Sequence, residues 1–413
     1  MKNSDKKLLA VLIICILLRL VIFSFQTPFN NDKHFLVVSY IFQNNALPSP
    51  FQFEEAQHPP LYYIFASFFL FFGSAKAVQF FSLILSIGAL IVFFVLIKKL
   101  DIPPKNKLYC LLFAGLLPQM IFFGNYISND SLSIFLGSLI FFQSYMLIKS
   151  QSIMNHVLLA VFLGLGMLTK ATFILFLPVL FVLIIFINFK NNQKILVPCL
   201  IFLVISLALG SYKYVNNEIL YKNPFINYQE INPGWFAPHR GTYSGSSSFY
   251  DINIIKLIEN PYVSLETKHS YPLMLYGTFW YQYIKDSNFN GKSAIFSWLG
   301  SLIYILAIIP TIIMIIGFFR IARNPSKNIF ETLCLLLFLT NLFFIFYAGI
   351  KYDDWAFFQS RYLFQSFFSI LIFLNSGINF IKNSKIRKLV YISLCSLFFL
   401  FVIYFAYGIY NLL

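Results

Sequence analysis

Charged side chains are scarce in this sequence. Lys, Arg, Asp and Glu together make up 11% of its 413 residues, against about 25% in soluble domains, which excludes a solvated globular surface and a charged disordered tail. Acids are scarcer than bases, with 15 Asp and Glu against 30 Lys and Arg, for a formal net charge of +15. Cysteine is rare as well. Cys15, Cys110, Cys199, Cys334 and Cys395 all fall in apolar stretches, which excludes a disulfide framework and a zinc cluster and leaves small apolar fillers. No glycine-rich loop of phosphate-cradling spacing occurs, so a nucleotide site of that kind is excluded. Nor is there an internal repeat of the sort many transporters carry.

What is abundant is apolar: 59% of residues are hydrophobic and 20% aromatic. Apolar runs of about 20 residues recur along the chain, each enough to cross a hydrocarbon core of about 30 Å as a helix. Helices are required because backbone polar groups in lipid need partners within their own segment. The expected fold is therefore an all-α integral membrane protein with about 11 transmembrane helices. With the N-terminus cytoplasmic, that arrangement puts more than half of the Lys and Arg inside, opposed only by Asp5, Asp101 and Glu331, as the positive-inside rule requires. The basicity then reports topology, and no nucleic-acid partner is implied.

The N-terminal run around Leu8 to Phe25 reads as the first span and not a cleaved leader, since Arg19 interrupts it and no small-residue cleavage site follows. Arg19, near its outer end, reads as snorkelling to the interface. Three sections follow. Residues 1–211 form an N-terminal transmembrane module whose first outer loop, 26–76, carries interfacial helices; Pro60 to Phe72 is apolar but too short to cross. Residues 212–293 form one long extracytoplasmic loop, and 294–413 a C-terminal transmembrane module.

Polar residues concentrate at the outer ends of the expected spans. Asp32, His34 and His58 lie in the first outer loop with Lys33, Glu54 and Glu55; Asn129 and Asp130 form an outer turn; Lys170 follows a Gly-x-Gly helix; Gln359, Arg361 and Tyr362 stand near the head of a late span. Buried charge in a membrane protein faces a bundle interior or a cavity, so these groups suggest one outward polar cavity. Acids with scattered cations suit a reaction in which an acceptor hydroxyl loses a proton while a phosphate leaves: an Asp takes the proton, and Lys or Arg balances the phosphate oxygens. His34 and His58 read as catalytic-site groups that hydrogen-bond and position. Asp32 reads equally as the cap of a helix starting at Lys33. Asn129-Asp130 reads equally as a turn and cap, Lys170 and Arg361 as snorkelling cations. Two or three of these carboxylates suffice to gather a divalent Mg or Ca ion, though no motif demands a cofactor.

Asn31-Asp32-Lys33-His34-Phe35 after the first span, Gln57-His58-Pro59-Pro60-Leu61-Tyr62-Tyr63 further on, Leu168-Thr169-Lys170, and Gln359-Ser360-Arg361-Tyr362-Leu363-Phe364 together resemble the GT-C superfamily of membrane glycosyltransferases. The likeness is strongest to the bacterial protein O-mannosyltransferases and lipid A aminoarabinose transferases, and it covers Asn30 to about Pro178 and the Arg361 region. The resemblance implies a polyprenyl-phosphate sugar donor, a glycan, lipid or protein acceptor, an extracytoplasmic site in a multi-pass cell membrane protein, inversion at the sugar, and an Asp in the first outer loop as general base. It makes Asp32 that base and Lys170, Arg361 and Tyr362 the donor-phosphate site. Relatives carry an acidic pair in this loop where Asn30 and Asn31 precede a lone Asp32, which keeps Glu54, Glu55 and Asp130 open as the base. A flippase or transporter, or a polymerase or ligase for lipid-linked saccharides, is the alternative.

Overall fold

Apolar runs in lipid must close their backbone hydrogen bonds internally, and helix is what this chain forms. The structure, a computed structural model, describes residues 3–28, 33–191, 194–226, 245–281 and 294–412, and among them there is no strand. In chain order the helices are α1 (Asn3–Phe25), α2 (His34–Asn44), α3 (Leu61–Phe68), α4 (Ala75–Lys99), α5 (Pro104–Leu116), α6 (Pro118–Asn125), α7 (Asn129–Lys149), α8 (Ile153–Met167), α9 (Phe176–Lys190), α10 (Leu196–Gly210) and α11 (Tyr212–Tyr221). Then come the short α12 (Ile255–Glu259) and α13 (Leu265–Lys268), followed by α14 (Tyr271–Trp280), α15 (Ala294–Arg323), α16 (Ile329–Tyr352), α17 (Phe367–Phe380) and α18 (Ser384–Leu412).

Among the described residues eight helical stretches are long and apolar enough to cross a membrane, or ten if α5–α6 and α10–α11 each make one bent span. The protein is an all-α, multi-pass membrane protein. The sequence suggested about 11 crossings; α8, with 15 residues, rises only about 22 Å and falls short of the bilayer core. Outward faces stay apolar, with Ile14, Val182, Leu200 and Phe343 exposed, as suits contact with lipid tails. The interior is packed with aromatic rings such as Phe93, Phe113, Phe122 and Phe141.

Arg19 does not snorkel. It is 1% exposed and sits where α5 and α6 meet at a 46° bend. Pro118 has no N–H to give the Ala114 carbonyl four residues back, and Arg19 supplies the missing donor. Its guanidinium donates to Ala114 at 3.3 Å and Gly115 at 2.8 Å, with Nε on Ser86 Oγ at 3.2 Å. A charge that costs much in lipid is thus tied to the broken span.

Close backbone approaches fix the rest of the bundle. A Cβ on Gly317 would lie 1.9 Å from the Phe373 carbonyl, and one on Gly377 2.0 Å from that of Ile313, so α15 and α17 cross with backbones touching, the usual role of small residues between membrane helices. Gly137 serves the same purpose in α7, where a Cβ would stand 2.1 Å from the Gln365 carbonyl. That contact seats the 3-10 stretch Ser360–Ser366 against the first half of α7.

Candidate active site

Asp130 is placed by a helix start. Ser128 caps α7, its side chain accepting the Asp130 N–H at 3.1 Å, so the carboxylate lies in the first turn, where the positive end of the helix favours it. The cap is Ser128, and Asn129 and Asp130 belong to the helix. Ser128 Oγ donates to Asp130 Oδ2 at 3.1 Å. After α8 ends, Lys170 adopts an extended backbone that carries its side chain to Asp130, where the two form a direct ion pair. The seated 3-10 stretch brings Arg361 Nη1 to 4.0 Å from Asp130 Oδ2. The Tyr362 ring lies beneath both cations, 4.8 Å from Lys170 Nζ and 5.3 Å from Arg361 Cζ. Lys170, at 7% exposure, is a buried partner and not a snorkelling side chain.

A second cluster comes from the first outer loop. His58 Nε2 is 2.9 Å and His34 Nδ1 3.6 Å from Glu55 Oε2, and the Tyr63 hydroxyl is 2.8 Å from His34 Nδ1. Burial alone would raise the Glu55 carboxyl; the two histidines, with Arg361 further off, outweigh it and hold it at about 2. Glu54 faces Lys33 at 4.0 Å. The first helix within this loop starts at His34, one residue later than expected, with Lys33 at the cap position in the left-handed region at φ 60° and no side-chain cap bond. Asp32 lies outside the described residues.

Both clusters line one cavity of about 800 Å³. Every other expected site residue is there: His34, Glu54, Glu55 and His58 on one part of the wall, Asn129, Asp130 and Lys170 on another, and Gln359, Arg361 and Tyr362 beside them. Asn129 Nδ2 donates to the Thr169 carbonyl at 3.5 Å. Gln359 is 2% exposed, and among the described residues its Oε1 has no hydrogen-bond partner. The aromatic side chains of Phe343, Phe344 and Tyr347 from α16 close a further, largely apolar side.

Some lining residues escape a sequence reading. Lys213 and Asn217 of α11 face the cavity, yet a lysine just past an apolar run ordinarily reads as an interface residue. Lys351 and Asp354 also line it; the available signal was their place just before the Gln359-to-Tyr362 stretch. Among the described residues no three His, Cys, Asp or Glu side chains are grouped so as to hold a metal ion.

The cavity pairs carboxylates with cations next to an apolar wall, an arrangement able to bind an amphipathic anion and to stabilise positive charge on a reacting carbon. In comparisons with protein-family models and with curated proteins, nothing matches this chain.

Proposed function

We propose that this protein is a GT-C-type membrane glycosyltransferase that moves a sugar from a polyprenyl-phosphate donor to an acceptor hydroxyl. The observation that carries the reading is the meeting of the two clusters, His34–Glu55–His58 and Asp130–Lys170–Arg361, in one cavity beside an apolar wall. A lipid phosphosugar needs all three: cations for its phosphate, carboxylates for the developing oxocarbenium ion and an apolar flank for its tail.

In this mechanism the acceptor oxygen forms a bond to the anomeric carbon from the face opposite the phosphate. The bond from that carbon to the phosphate oxygen breaks, polyprenyl phosphate leaves, and the hydroxyl proton passes to a carboxylate. Lys170 and Arg361 take the leaving phosphate, exchanging contact with Asp130 for contact with the substrate. Glu55 suits charge stabilisation better than proton capture, because a carboxyl held at about 2 is a weak base at neutral pH. Asp32 is the proposed base, with Glu54 as the nearest alternative. His34 and His58 position substrate hydroxyls and hold Glu55. A divalent Mg or Ca ion is compatible with the carboxylates, and no step depends on it.

Charge supports an orientation. Lys98 and Lys99, Lys149, Lys190, and Arg320 and Arg323 end α4, α7, α9 and α15, while Asn129 and Asp130 open α7 on the cavity side. The positive-inside rule then supports a cytoplasmic N-terminus and an extracytoplasmic cavity. The acceptor is a glycan, lipid or protein hydroxyl.

The test is reconstitution in liposomes with a panel of radiolabelled polyprenyl-phosphate sugars and hydroxyl acceptors. Label is expected on the acceptor, with Arg361→Gln and Asp32→Asn each slowing transfer at least about a hundredfold. Label that crosses the bilayer still attached to its lipid would instead identify a flippase.

A further inference from the structure

The cavity has a sector that sugar transfer as described leaves unused. α11 presents Lys213 and Asn217, whose spacing of four residues puts both on one helix face. Both line the cavity, and both are more than nine-tenths buried, at 7% and 2% exposure. Lys213 Nζ donates to the Ala56 carbonyl at 3.3 Å. The neighbouring cations have acidic partners, Lys33 in Glu54, and Lys170 and Arg361 in Asp130; Lys213 pairs with no carboxylate among the described residues. Asn217 Nδ2 donates to the Pro224 carbonyl at 3.3 Å, and among the described residues its buried Oδ1 has no partner.

A buried ammonium carries three donors, and a buried amide oxygen seeks one. Left so, both are costly. A ligand that brings an anion to Lys213 and a hydroxyl or N–H to Asn217 satisfies them together. Phe225 and Ile226 line the cavity a few residues further along the chain, which adds an apolar flank to the same sector.

We propose that Lys213 and Asn217 form an anion subsite for the acceptor, so that the acceptor is amphipathic and carries a phosphate or carboxylate near its hydroxyls. This rests on the glycosyl-transfer reading, in which Lys170 and Arg361 take the donor phosphate. A further buried cation in the same cavity, with no carboxylate partner among the described residues, then serves the other substrate.

The test is calorimetric titration of the full-length protein in maltoside micelles. Octyl glucoside 6-phosphate and octyl glucuronide serve as anionic probes, neutral octyl glucoside as the reference, and farnesyl phosphate as a probe of the donor side. At least one anionic glycoside is expected to bind about tenfold or more tighter than the neutral one, the strength of a charge-assisted hydrogen bond; which of the two does so identifies phosphate or carboxylate. Lys213→Gln is expected to abolish that preference and Lys213→Arg to keep most of it. Asn217→Asp, which sets a negative charge beside the site, abolishes it too and decides the matter if Lys213→Gln does not fold. Farnesyl phosphate is expected to respond to Arg361→Gln and not to Lys213→Gln. An absent preference for either anionic glycoside, or equal loss of farnesyl phosphate and anionic glycoside in Lys213→Gln, overturns the proposal. Lys213-dependent selectivity without sugar transfer from any donor sinks the transferase reading and leaves the subsite standing.

Discussion

Asp130 holds two cations, Lys170 and Arg361, with one buried carboxylate, and that makes it a structural hinge of the candidate site. Removing one partner of a buried pair leaves charge with nowhere to go, at a cost of about 3–5 kcal/mol. Asp130→Asn, which strands Lys170, is therefore expected to lower the midpoint of thermal unfolding in detergent clearly, and Asp130→Asn with Lys170→Met to recover part of the loss. A single variant as stable as wild type would mean that the Lys170 ion pair carries no weight. Glu55 gives a pH signature. Its folded value of about 2 lies below the ordinary 4.5, so it binds a proton less readily folded than unfolded. The stability it adds is complete above about pH 5 and is lost as pH falls towards 2. Thermal unfolding measured between pH 6 and 3 is expected to show that decline in wild type and a shallower one in Glu55→Gln; parallel curves would contradict the His34–Glu55–His58 contacts.

At the scale of elements, the site depends on helix ends brought together by small residues. Gly137 lets Ser360–Ser366 rest on α7, and Arg361 reaches Asp130 from there. Gly137→Ala is expected to push that stretch outward, costing about 1–3 kcal/mol and reducing turnover, with helical content by circular dichroism unchanged. Undiminished turnover would show that the Arg361 position tolerates the shift. The helices themselves were legible in the sequence because hydropathy and length decide them, and length alone marks the Leu61–Phe72 segment as too short to cross. What the sequence concealed is pairing. Arg19 reads as an interface cation until the carbonyls released by Pro118 are seen beside it, and Lys170 reads the same way until Asp130 lies across from it. Both partners are distant in sequence, and no local pattern encodes such a contact. The same limit hid Lys213, which donates to the Ala56 carbonyl, a backbone atom that leaves no trace in residue identity.

Lys98, Lys99, Lys149, Lys190, Arg320 and Arg323, which end α4, α7, α9 and α15, are all absent from the lining of the polar cavity, a separation that suits the proposed chemistry on a lipid-borne substrate. Grouping of site residues was legible to a useful degree: every expected one among the described residues lines one cavity of about 800 Å³, because in so apolar a chain buried polar groups have few other places to gather. Their division into two clusters was not, since it depends on how the first outer loop folds over α7. The central claim is that a sugar leaves a lipid phosphate here. Phosphorus-31 NMR of liposomes holding the protein, a polyprenyl-phosphate sugar and an acceptor follows that bond directly. The prediction is that the phosphodiester signal gives way to a phosphomonoester signal, one per sugar transferred, and that Arg361→Gln slows the change. A phosphodiester that stays intact with every donor, whether or not the lipid moves between leaflets, would contradict it.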